Sequence, residues 1–222
     1  MNLQVSMPYE VCPFKCPMCV ANGRKTFDNI YKSHKEMYLR KLASIKAEEY
    51  YSDYVITGAS DPTLNSHWLK DVLRVLKDVP TELQTKNYNI NPDSLPNLNV
   101  LAYSITNSKE YLGAWDYPKL TFGINRIVVL LTKDLDFLTP INFNSMGYDQ
   151  VTFKVLQPTA DEKTNKWIKK NRMTNLKNIY KIVDKFNGDD VSVRLDSSCQ
   201  DSHGRYQIFR ANGTIYDRWD EE

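Results

Sequence analysis

The sequence contains no apolar run approaching the roughly 18 to 20 residues of a membrane-spanning helix, so a helical membrane protein is not expected. Its first residues, Met1-Asn2-Leu3-Gln4-Val5-Ser6-Met7-Pro8, carry neither the basic region nor the long apolar region of a secretory signal, and a cytoplasmic protein is expected. An excess of one charge is also missing. With 29 basic and 27 acidic residues the net charge is +2, which gives no broad field to draw in nucleic acid or a membrane surface. The basic run from Lys166 to Arg172 reads as a solvated helix face. Internal repeats and low-complexity segments are absent. Cysteine is scarce, four in 222 residues, which is not the density of a disulfide scaffold. Yet three of the four fall within eight residues.

What is present suffices for one α/β domain. The apolar fraction is 41%, and runs such as Ile127-Val128-Val129-Leu130-Leu131 supply a core. Strands are expected at Leu3–Met7, Tyr54–Thr57, Glu82–Lys86, Val100–Ile105, Phe122–Leu131, Val151–Leu156 and Val191–Leu195. Between them the apolar residues recur at helical spacing over His34–Glu49, Asn65–Asp78 and Thr174–Phe186. Alternating strands and helices predict βαβ units and a mostly parallel sheet. Tyr88–Asn99 and Lys109–Lys119 have room for about one helical turn each, so some crossovers are trimmed to loops. Tyr206–Arg210, a turn at Ala211-Asn212-Gly213, and Thr214–Arg218 read as a terminal β-hairpin.

The chemical signal is Cys12-Pro13-Phe14-Lys15-Cys16-Pro17-Met18-Cys19, a CxxxCxxC array directly after the first strand. It should lie in the loop at that strand's C-terminal end, the edge where parallel α/β sheets gather their active sites. Three thiolates from one short loop can hold three irons of a cubane cluster and leave the fourth open to an exchangeable ligand. A ferredoxin-type cluster uses four cysteines instead. A structural zinc site commonly takes two separated pairs of Cys or His. Here His34, His67, His203 and Cys199 form no second pair.

On that motif the chain resembles the radical S-adenosylmethionine superfamily. The resemblance covers about residues 1–158 in order and implies a partial (β/α)6 TIM-like barrel, trimmed and open on one side. Residues 159–222 would then be a C-terminal helix, strand and hairpin that complete the same domain and contact substrate. It further implies a [4Fe-4S] cluster on Cys12, Cys16 and Cys19, with S-adenosyl-L-methionine chelating the unique iron through its amino and carboxylate groups. Reduction, by a donor such as flavodoxin or ferredoxin, would cleave the cofactor to methionine and a 5′-deoxyadenosyl radical that takes hydrogen from the substrate. Met18 stands at a position that is usually aromatic in the family and packs near the adenine. Gly58-Ala59-Ser60-Asp61-Pro62-Thr63-Leu64 looks like the family's GGEPTL-type segment, with Ala59 for the second glycine and Ser60-Asp61 where Glu is common. Gly58, Ala59, Ser60 and Asp61 would therefore bind the amino group of the cofactor's methionine part. By position, Ser104 and Thr106 would hold the ribose, Asn125 and Arg126 the carboxylate, and Gln157 the adenine.

Substrate residues would line the same mouth, with Lys154, Arg194, Asp196 and Tyr206 the candidates; Lys154 and Cys199 would be the catalytic side chains. As a bare loop thiol Cys199 needs no function. The expected substrate is a small molecule, nucleotide-like, or a peptide. Two alternatives remain open: an activating enzyme that installs a glycyl radical on a partner protein, and a degenerate iron–sulfur binding or redox module without radical chemistry.

Overall fold

The computed structural model describes residues 1–8, 11–19, 34–58, 60–133, 145–156, 161–173, 192–196 (backbone) and 206–217. Nine strands form one sheet: β1 Asn2–Ser6, β2 Asp53–Thr57, β3 Thr81–Thr85, β4 Val100–Ile105, β5 Ile124–Leu131, β6 Gln150–Val155, β7 Ser192–Asp196, β8 Tyr206–Phe209 and β9 Ile215–Tyr216. Their order is β7-β6-β5-β4-β3-β2-β1-β8-β9. The first eight are all parallel; only β9 runs antiparallel, as the second arm of a hairpin with β8. The edge strands β7 and β9 do not pair, so the sheet is open. The expected α/β class and mostly parallel sheet are observed.

From β1 to β7 every step moves one strand in the same direction. Right-handed crossovers then stack the helices on a single face. These helices are α1 Lys35–Ala47, α2 Ser66–Val75, α3 Ser108–Gly113 and α4 Glu162–Asn171. α1 and α2 meet through Tyr38 and Trp68, with ring centroids 5.2 Å apart, and through the Lys35–Asp71 ion pair. Asn65 starts α2 by accepting from the Trp68 N–H, and Asp61 starts the 3-10 turn Pro62–Leu64 by accepting from Thr63.

The two faces of the sheet differ chemically. Leu3, Val5, Tyr54, Ile56, Leu83, Leu101, Tyr103, Ile127, Val129, Leu131, Val151 and Phe153 point into the core. Alternation turns Gln4, Ser6, Thr57, Glu82, Gln84, Ser104, Arg126, Gln150, Thr152 and Lys154 to the other side. Parallel sheets are ordinarily apolar on both faces; this one carries a polar, half-buried second face.

The tail closes onto both flanks. β7 lies beside β6, and β8 joins as a parallel neighbour of β1, with Val5 opposite Phe209. The hairpin is thus part of the main sheet and not an appendage. α4 takes in most of the basic run read as a helix face; Asp161 caps it by accepting from Thr164, and its buried face carries Thr164 and Ile168. The helix expected over Thr174–Phe186 lies outside the described residues.

Candidate functional site

The residues that follow the parallel strands converge on one edge. β1 runs into the cysteine loop, where two turns form at 13–14 and 17–18. Each has proline in its second position, Pro13 and Pro17, with φ already set for a turn. The second is closed by the Cys19 N–H donating to the Cys16 carbonyl at 3.1 Å. Lys15 takes a left-handed φ of 46° between them, reversing the chain. The loop carries all three thiols. None is in a disulfide, all are half-buried, and Cys16 feels the charges of both Cys12 and Cys19. Met18 is half-buried in the same turn.

Burial is the largest influence on Cys16 and pushes its thiol up to about 11; the Lys86 ammonium works against this, while Cys19, Cys12 and Glu110 add to it. Lys86 and Glu110 therefore lie beside the cysteine loop, although 70 and 94 positions separate them from Cys16 in sequence. Lys86 leaves the end of β3 and Glu110 belongs to α3, just beyond β4. Their ion pair closes at 2.7 Å with side chains 14% and 19% exposed. Thr106 ties it to the strand end, accepting from Lys86 Nζ at 3.0 Å and donating its hydroxyl and N–H to Glu110 at 2.8 and 2.6 Å.

An aromatic wall stands next to this pair. Tyr88 and Tyr117 stack at 3.9 Å and 5°, and Tyr103 meets Tyr117 edge-on. Each phenol donates to a backbone carbonyl: Tyr88 to Ser104, Tyr103 to Pro118 and Tyr117 to Glu110. Burial pushes all three phenols up, Tyr117 to about 12.

The other expected site residues divide. Gly58 leaves β2 against β1, where an added Cβ would come 3.3 Å from the Ser60 carbonyl and 3.5 Å from the Met7 nitrogen. Ser60 and Asp61 are buried behind it. The Asp61 carboxylate accepts from Thr63 N at 3.0 Å, Thr63 Oγ1 at 2.7 Å, Thr85 Oγ1 at 2.8 Å and Lys86 N at 2.7 Å. Those four donors fill the roughly four lone-pair sites of a carboxylate. Asp61 is thus spent in joining the β2 and β3 ends and has no lone pair left for an ammonium ligand. Ser104 and Thr106 do lie at the cysteine edge, and Lys154 is one residue short of the end of β6.

Asn125 and Arg126 do not reach that edge. They open β5, at the opposite end of the sheet. Asn125 is buried and bonded to the backbone of Leu120; Arg126 is paired with Glu82 and donates from Nε to Gln150 Oε1 at 2.9 Å. The extended run Phe122–Leu131 put them mid-strand; the strand's true start at Ile124 puts them at its base. Tyr206 is likewise at the far end, since β8 runs parallel to β1 and Tyr206 stands opposite Asn2. Arg194 and Asp196 are in register with Thr152 and Lys154. Ala59, Gln157 and Cys199 lie outside the described residues.

Sequence reasoning missed Lys86, Glu110 and Arg210. Arg210 directly follows β8, is 2% exposed and stacks on Tyr216 at 4.2 Å. The signal available for all three was position: each falls within a few residues of a parallel strand's C-terminal end. Among the described residues, no three His, Cys, Asp or Glu side chains are grouped to hold a single metal ion. No described helix is long and apolar enough to cross a membrane. Neither a family model nor a curated protein sequence matches the chain.

Proposed function

We propose that this chain is a radical S-adenosylmethionine enzyme, with Cys12, Cys16 and Cys19 as ligands of a [4Fe-4S] cluster and a partial, open barrel as its working form. One observation carries this reading: three half-buried thiols, none in a disulfide, on the loop leaving β1, at the C-terminal edge of a singly wound parallel sheet whose second face is polar. The donor set fits the group. None of the three sulfurs is consumed in a disulfide, and an all-thiolate set suits an iron–sulfur cluster. A cubane gives each thiolate its own iron, so the sulfurs need not converge on one point as around a single ion.

The bound cluster and S-adenosylmethionine would supply reductive cleavage of the sulfonium and a radical able to take a hydrogen atom from substrate. The chain's own residues position and shield. The three cysteines must lose their protons to bind iron, so loading releases protons and is favoured by rising pH. Lys86, held in place by Glu110 and Thr106, sets a cation beside Cys16 where three thiolates accumulate negative charge. Tyr88, Tyr117 and Tyr103 exclude water on that side, and their hydrogens are engaged with backbone carbonyls. Gly58 lets the end of β2 approach Met7, keeping the loop against the sheet. The half-buried polar face, opposite the side that the described helices cover, is the surface a substrate would meet.

The saturated Asp61 carboxylate favours a second reading, a cluster-holding redox or binding module in which the amino-group contact has been lost. One experiment separates the two. The protein is purified without oxygen, reconstituted with iron and sulfide, reduced with dithionite, and given S-adenosylmethionine. 5′-Deoxyadenosine that vanishes in Cys16→Ala is the expected result. A four-iron cluster that binds no cofactor would favour the redox module, and failure to assemble any cluster would end both.

A further inference from the structure

We infer that β6 carries an anion-binding subsite, formed by Thr152 Oγ1 and Lys154 Nζ, for a carboxylate or phosphate group of a ligand. Val151, Phe153 and Val155 turn into the core, so Gln150, Thr152 and Lys154 alternate onto the polar face. At the base, Gln150 is already occupied by Arg126. One step toward the cysteine edge, the Thr152 hydroxyl is buried with no hydrogen-bond partner. One step further, Lys154 is half-buried and makes no hydrogen bond or ion pair among the described residues. On the neighbouring strand β5 the residues in register are Val128 and Leu130, so that flank offers neither group an acceptor; on β7 they are Arg194 and Asp196.

A buried hydroxyl without a partner is destabilising, and a half-buried ammonium without a counter-charge adds to it. Among the described residues both groups lack an acceptor, and one ligand group with several acceptor oxygens and a negative charge would satisfy both. Along a strand, residues two apart lie about 6.6 Å from each other, a gap that a flexible lysine stem readily shortens. That the anion belongs to a reacting ligand rests on the function proposed above; the subsite itself does not, because it needs no cluster.

The test therefore uses the full chain in its cluster-free form, titrated calorimetrically at constant ionic strength. The probes are inorganic phosphate, S-adenosylhomocysteine, which has a carboxylate, and 5′-methylthioadenosine, which has none. Lys154→Met is expected to weaken an anionic probe about tenfold or more, the scale of a charged hydrogen bond. Thr152→Val is expected to weaken the same probe several-fold while raising the melting temperature, since it removes an unmatched hydroxyl. Loss confined to S-adenosylhomocysteine, with methylthioadenosine unchanged, identifies the anion as the cofactor's carboxylate. Loss confined to phosphate identifies a substrate phosphate. No binding of either anion by the parent, equal binding by both variants, or a lower melting temperature for Thr152→Val would overturn the subsite.

Discussion

Replacing Asp61 by Ala separates a ligand-binding carboxylate from a structural one, and the structure fixes the size of the effect. Two backbone N–H groups, of Thr63 and Lys86, and two hydroxyls, of Thr63 and Thr85, lose their acceptor together. Both hydroxyls already accept from Asn87, through its N–H at Thr85 and its side-chain amide at Thr63, each at 2.9 Å. They can rotate toward other acceptors. The N–H groups cannot rotate, and each buried donor left unmatched costs about 1–3 kcal/mol. Allowing about 1 kcal/mol net for the hydroxyls, the loss comes to about 3–7 kcal/mol, at or beyond the upper end for one substitution. At about 2–4 °C per kcal/mol for a chain of this length, the melting temperature should fall by roughly 6–28 °C.

The assay is denaturant and thermal unfolding of the cluster-free protein, where no cofactor can contribute. Asp61→Asn should fall between, because it keeps one acceptor oxygen but turns an NH2 group toward a donor. If Asp61→Ala unfolds within about 1 kcal/mol of the parent while S-adenosylmethionine affinity collapses, the four hydrogen bonds are not carrying the load. The carboxylate would then belong to the cofactor, as its place in the GGEPTL-like segment suggests.

Three further substitutions or modifications probe other parts. In metal-free protein at pH 8, a Cys16 thiol raised from 9.0 to about 11 has about 100-fold less thiolate, of which greater nucleophilicity restores about tenfold. Iodoacetamide should thus alkylate it about tenfold more slowly than a free cysteine thiol, with the rate climbing toward pH 11; mass-spectrometric rates equal to the free thiol would refute the buried placement. Arg126→Met leaves Glu82 buried without its cation and should cost about 3–5 kcal/mol by denaturant unfolding, much of it recovered in the Glu82→Gln, Arg126→Met double variant. Since Arg126 stands at the far end of the sheet, the folded variant should keep S-adenosylmethionine affinity, and a selective loss of affinity would return it to the site. Gly123→Ala forces a side chain onto a φ of 133° with its Cβ 2.8 Å from the Asn99 carbonyl, and should cost about 2 kcal/mol or more; an unchanged unfolding midpoint would contradict that geometry.

Local pattern located most elements. The span of β4 is the expected Val100–Ile105, and β1, β2, β3 and β6 fall within a residue of their expected ends. The cysteine loop was legible because its chemistry is contiguous: three thiols, two prolines and a preceding strand lie within 18 residues. Side chains that come from different strands were not legible. Lys86, Thr106 and Glu110 meet only because β3 and β4 are adjacent and parallel, and Asp61 meets Thr85 for the same reason across β2 and β3. Arg126 misled because a mid-strand residue carries no mark of which end of the sheet it is nearer. The terminal hairpin was recognised by its Asn212-Gly213 turn, but a turn says nothing about which neighbour β8 will choose.

One feature of the sequence does bear on the polar face. Parallel strands buried on both sides read as continuous apolar runs, and β5 does: Ile127, Val128, Val129 and Leu131 are all buried. β6 reads Gln-Val-Thr-Phe-Lys-Val, a strict alternation usual for an antiparallel strand with one wet face, and β3 reads Thr-Glu-Leu-Gln-Thr. Yet every crossover from β1 to β7 is parallel. Period-two alternation within strands that helices force to be parallel has one structural solution: the helices cover one face, and the other keeps its polar groups partly accessible. Arg126 spans that face from β5 to Glu82 on β3, over the small Ala102 of β4, which uses up the polar groups at the base. Thr152 and Lys154, unspent among the described residues, lie above it, toward the edge that carries the three cysteines.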